Sequence, residues 1–110
     1  MKKALIATTC ITLALGMSSV QAAGDAEKGK EKSATCAACH GADGNTPTVA
    51  TYPKLGGQNP EYLVNAIKAY KNGERTGGQA PMMMGMVAPL SDEDIDNLAA
   101  FFAAQVPTCK

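Results

Sequence analysis

The sequence predicts an all-α fold of three main helices joined by long loops, on three observations. Apolar residues recur at three- and four-residue spacing in three stretches, near 25–37, 60–73 and 91–105. No stretch alternates apolar and polar residues, so nothing reads as a strand. The loop over 41–58 is long and rich in turn formers. In so small a domain this points to chain wrapped over something other than its own side chains.

Lys2 and Lys3 precede an apolar run from Ala4 to Met17, and Val20-Gln21-Ala22 supplies small residues behind it. This pattern predicts a secretory signal peptide over 1–22, cleaved between Ala22 and Ala23, and a single domain over 23–110. The run is too short for a comfortable membrane span, and no second one follows. The domain that remains has 88 residues, no Trp and two Phe. A chain of that size is close to the limit at which side chains alone build a stable core. Its eight Lys and Arg against ten Asp and Glu give a formal net charge of −2, which excludes the basic surface that nucleic acid requires. Lys28, Lys30 and Lys32 cluster near the start and Asp92, Glu93, Asp94 and Asp96 near the end. Both clusters read as solvated helix faces in preference to docking patches.

The first helix is expected over Asp25–Ala37, with Asp25 as its N-cap and Ala26, Gly29 and Ser33 on its inward face. Gly29 costs helix stability, so its place there points to the close approach of another helix. Asn59-Pro60-Glu61 puts a cap, an N1 proline and an early acid where the second helix should start. Leu63, Ala66, Ile67 and Tyr70 then form its buried stripe, and Gly73 ends it. Residues 74–81 and the methionine-rich run Pro81–Met86 read as loop. Ser91 and Asp94 make a capping box for the last helix, which carries Ile95, Leu98, Ala99 and Phe102 inward to about Gln105, ahead of Pro107.

Chemistry enters with Cys36-Ala37-Ala38-Cys39-His40. Two thiols three residues apart, followed at once by an imidazole, form the attachment signature for c-type haem. The sulfurs add to the two vinyl groups of one porphyrin, and the imidazole falls beneath the iron. A thioredoxin-like dithiol would expect a preceding strand, and a zinc site lacks its fourth ligand apart from Cys109. The predicted cofactor is therefore one covalent haem c with iron ligated by His40, the only histidine in the chain. The sixth iron position then falls to the methionine cluster Met82, Met83, Met84 and Met86, since a thioether favours reduced iron. Copper(I) binding by the same thioethers is the weaker reading.

With these features in hand, the chain resembles a class I cytochrome c, of the short bacterial single-haem type related to the c-four and c-five cytochromes. The resemblance rests on Gly24-Asp25-Ala26, Cys36–Gly41, Asp43-Gly44-Asn45, Pro53-Lys54-Leu55, Gly57-Gln58, Met83-Met84-Gly85-Met86, Pro89-Leu90-Ser91-Asp92 and Leu98–Phe102. It implies thioether bonds at Cys36 and Cys39, His40 as proximal ligand and Met83 as distal ligand, with Met86 the alternative. It further implies that the Pro53 carbonyl accepts the other ring N–H of His40, that Leu55 packs on the haem, and that Gly29 and Phe101 mark a helix crossing. Cys109 departs from the pattern and would be a free thiol or a link to a second copy.

The function these readings imply is a periplasmic one-electron carrier, not an enzyme. It would work between redox proteins such as a quinol–cytochrome c reductase and a terminal oxidase or other reductase. The alternatives are a haem sensor or peroxidase-like protein with a displaceable methionine, and a dedicated subunit of a larger complex.

Overall fold

The computed structural model describes residues 24–107. The segment read as an export signal and Cys109 lie outside the described residues. Five helices follow one another: α1 (Ala26–Lys32), α2 (Ala34–His40), α3 (Pro60–Lys71), α4 (Ala80–Val87) and α5 (Asp92–Ala103). No strand occurs among the described residues.

The caps form where the sequence placed them. Asp25 accepts from the backbone N–H groups of Glu27 and Lys28 at 2.9 and 3.2 Å. Asn59 accepts from the Tyr62 N–H at 3.0 Å, and Gly73, at φ 72°, follows the end of α3. The Ser91–Asp94 capping box is closed in both directions, each bond 3.1 Å long.

Two expectations need correction. The first helix is not continuous: the span expected as one helix forms α1 and α2. At Ser33 the hydroxyl bonds the Lys30 carbonyl at 2.8 Å while the Ser33 N–H reaches the same oxygen at 3.2 Å. This local bonding competes with the helical ladder and ends α1 before α2 begins. The methionine run is not loop either, because α4 covers it. Pro81 lies in its first turn, where no N–H is required, and methionine is a good helix former.

The core is where α5 meets α1 and α3. Ile95 and Leu98 are fully buried, and Leu63, Leu98, Ala99, Phe101 and Phe102 form one cluster. The rings of Phe101 and Phe102 meet edge to face at 4.9 Å. The expected crossing at Gly29 and Phe101 is present: a Cβ on Gly29 would overlap the Asn97 carbonyl oxygen and lie 2.8 Å from Phe101 Cβ. Gly24 approaches the Asp96 carbonyl just as closely, and Asp25 N–H donates to Asn97 Oδ1 at 2.7 Å.

The two charge clusters meet across this crossing. Lys28 pairs with Glu93 at 3.3 Å and Lys32 with Asp94 at 2.9 Å, so the two largely solvated faces also complement each other. Lys32 and the Ser91 bonds hold the Asp94 carboxyl below its ordinary pKa. Exposed pairs of this kind add little stability and chiefly favour the register of α1 on α5.

Because the atoms facing Gly29 are backbone, they cannot move aside for a methyl group. Gly29→Ala should lower stability by about 2 kcal/mol even after the gain in helix propensity. Thermal unfolding of the haem-loaded variant should show a melting temperature lower by about 10 °C.

Candidate haem site

Helix α2 carries the thiols and the imidazole within two turns. Cys36 is half-buried and packs against the core cluster. Burial pushes its thiol pKa up, with neighbouring Cys39 adding to the effect. His40, the last residue of α2, is 7% exposed. Its ring lies 6.3 Å from that of Tyr52, tilted by 48°.

The His40 ring is held from the opposite loop. Nδ1 lies 2.7 Å from the Pro53 carbonyl oxygen. A carbonyl can only accept, so Nδ1 donates its hydrogen and Nε2 is left with the lone pair. The ring therefore has one ligating nitrogen, turned away from Pro53.

Loop 41–58 brings Pro53 to this position through a set of backbone bonds. Gly41 N–H closes α2 on the Ala37 carbonyl at 2.9 Å, and Thr48 N–H donates to the Cys39 carbonyl at 3.0 Å. Leu55 N–H returns to the Gly44 carbonyl at 2.8 Å, and Tyr52 N–H to the Val49 carbonyl at 2.9 Å. The buried Asn45 side chain clasps the Val106 carbonyl at 2.8 Å, tying the loop to the chain beyond α5. Neither Asn45 nor Tyr52 was singled out from the sequence as a contributor to this geometry. Their contacts depend on partners far along the chain or on ring placement, which no local pattern reports.

Helix α4 sorts the four methionines. Ala80 and Val87 are its buried residues, and Met83, three positions after one and four before the other, shares their face. Met82 and Met86 point outward, each 47% exposed. Met84 is half-buried with its methyl group toward Gly73, beyond the end of α3. Leu55, Val64 and Leu90 are half-buried apolar residues packed beside the core.

These residues suit a covalent porphyrin. Two thiols on one helix, an adjacent imidazole with a single free nitrogen, an inward thioether and a set of incompletely buried apolar side chains are the donors and lining such a group needs. Among the described residues no three His, Cys, Asp or Glu side chains converge as a metal-holding group. No helix among them is long and apolar enough to cross a membrane.

Fold and site together define a small helical haem c protein that transfers electrons. The family model for cytochrome c matches residues 26–104. Cytochrome c-554(548) of Halomonas halodenitrificans is 49% identical over 83 residues, covering 76% of this chain and 99% of that protein. Cytochrome c4 of Stutzerimonas stutzeri is 42% identical over 112 residues, covering 96% of this chain and 51% of that one. A crystal structure of reduced recombinant cytochrome c4 from Pseudomonas stutzeri superimposes with a TM-score of 0.67 at 42% identity, covering 78% of this chain and 48% of the other. The chain thus spans about half the length of its cytochrome c4 relatives. It belongs to the cytochrome c family, with the class I fold, covalently bound haem c, and electron transfer in place of enzymatic catalysis.

Gly41, next to the His40 imidazole, has φ 91° and ψ 155°, a conformation essentially confined to glycine. A Cβ there would also lie 2.6 Å from the Thr46 carbonyl oxygen. Gly41→Ala should cost about 1–3 kcal/mol in strain, read as a lower denaturant midpoint of the haem-loaded protein.

Proposed function

We propose that this chain is an exported, periplasmic monohaem electron carrier. Cys36 and Cys39 would hold the haem by thioether bonds, and His40 and Met83 would ligate its iron. The observation that carries the reading is the 2.7 Å bond from His40 Nδ1 to the Pro53 carbonyl. It fixes the ring and leaves Nε2 as the nitrogen that would ligate the iron. Met83 is supported by its place on the inward face of α4, where Met82 and Met86 point outward.

The haem iron supplies a one-electron couple between Fe(III) and Fe(II). Around it the residues have separate roles. His40, with Nδ1 bonded to Pro53, would present Nε2 to the iron. The Met83 thioether, soft and uncharged, would favour the reduced state. Leu55, half-buried beside the core, would pack on the macrocycle and exclude water. With His40 and Met83 both committed to the iron, the chain would keep substrate from it in either oxidation state. Electrons would arrive from a donor such as a quinol–cytochrome c reductase and leave to a terminal oxidase or another reductase, in small and transient encounters. The apolar run before residue 22 is the export signal in this reading, and 23–110 the cytochrome domain.

Separate replacement of the methionines tests the ligand set. Met86→Ala should keep a low-spin spectrum with the weak red methionine-to-iron band of the oxidised protein. Met83→Ala should lose that band, become high-spin and bind carbon monoxide. A Met83→Ala protein that keeps the methionine-ligated spectrum would refute the assignment.

A further inference from the structure

The one arginine of the chain, Arg75, lies in the segment after α3. Its guanidinium is held by two phenols of α3: Nη1 donates to the Tyr70 hydroxyl at 3.2 Å and Nη2 to the Tyr62 hydroxyl at 3.3 Å. The guanidinium carbon also lies 5.0 Å from the centroid of the Tyr70 ring. All three groups are reachable, with Tyr62 half exposed. The backbone behind them is tethered, since the Glu74 N–H bonds the Ala69 carbonyl at 2.8 Å.

Each phenol spends an acceptor site on Arg75 and keeps its own hydrogen to donate. The outward face of the cluster therefore offers two O–H donors and the remaining N–H groups of a planar cation. Its complement is a planar, anionic acceptor. Four other cations of the described surface are engaged elsewhere. Lys28, Lys32 and Lys68 face Glu93, Asp94 and Asp92, and Lys71 donates to the Leu90 carbonyl. Among the described residues no carboxylate is paired with Arg75.

We propose that Arg75, Tyr62 and Tyr70 form a docking point for one surface carboxylate, Asp or Glu, of a protein that exchanges electrons with this one. The charge count selects carboxylate over phosphate, because a single cation matches one negative charge. Arginine and tyrosine are also the side chains most used as anchors between proteins. The phenols hold the guanidinium fork in place before a partner arrives, which lowers the ordering cost of docking. That the partner is a redox protein rests on the electron-carrier reading; the donor cluster itself does not.

The test is a titration of the reduced, haem-loaded protein with a tetraglutamate peptide at low ionic strength, following the tyrosine ring proton resonances. The peptide should shift the Tyr62 and Tyr70 signals. Arg75→Gln should weaken its binding about fivefold or more, and Arg75→Lys, which keeps the charge but not the fork, by a similar factor. Tyr62→Phe should weaken it less, and Lys30→Gln should leave it unchanged. An unchanged visible spectrum in each variant shows that the haem site is intact, so failure here is distinct from failure of the ligand assignment. Equal losses in Lys30→Gln and Arg75→Gln, or no shift of the two rings, would overturn the proposal. So would inorganic phosphate competing as well as the peptide at matched ionic strength.

Discussion

The structure depends on backbone lying against backbone where α1 crosses α5. Gly24 and Gly29 present no side chains to the Asp96 and Asn97 carbonyls, and the Asp25 N–H is bonded to Asn97 Oδ1. This crossing ties residues 72 positions apart and sets the direction in which α2 leaves α1. Cys36 thereby meets the side of the cluster built by Leu63, Leu98, Ala99, Phe101 and Phe102. The ion pairs of Lys28 and Lys32 with α5 lie at the rim of the same crossing and reinforce its register.

A second constraint acts from the loop. Residues 41–58 have no helix or strand, yet their backbone groups bond to Ala37, Cys39, Gly44 and Phe102. The result is a carbonyl, that of Pro53, aimed at one nitrogen of one imidazole. Most of this loop follows directly from the His40 turn, so the imidazole and the carbonyl that orients it lie in one short segment. The opposite side depends on α4, whose inward face offers a thioether between two buried small or branched residues.

Much of this was legible in the sequence because it is local. The caps at Asp25, Asn59 and Ser91 are side chains bonding backbone two or three residues away, and each formed as read. The Cys36–His40 run carries its chemistry in its spacing. The crossing at Gly29 was legible because a glycine in mid-helix needs a reason. The break at Ser33 was missed because helix periodicity continues across it, while a single hydroxyl bond ends the ladder. Helix α4 was missed because it has no side-chain cap and its run of methionines carries no helical period, although Pro81 sits in the first turn where it is tolerated. The lysine and acid clusters were each visible, but their pairing was not, since it joins positions 65 residues apart. The Arg75 cluster had no sequence signal, because a helix and the segment after it meet there only through side chains.

The central claim is that both faces of the iron are closed by the chain's own His40 and Met83. The most direct measurement is the visible absorption spectrum of the purified haem-loaded protein, oxidised, reduced with dithionite, and then exposed to carbon monoxide at neutral pH. The account predicts sharp low-spin c-type bands that carbon monoxide does not alter. A high-spin spectrum that shifts when carbon monoxide is added would contradict it and identify an open iron.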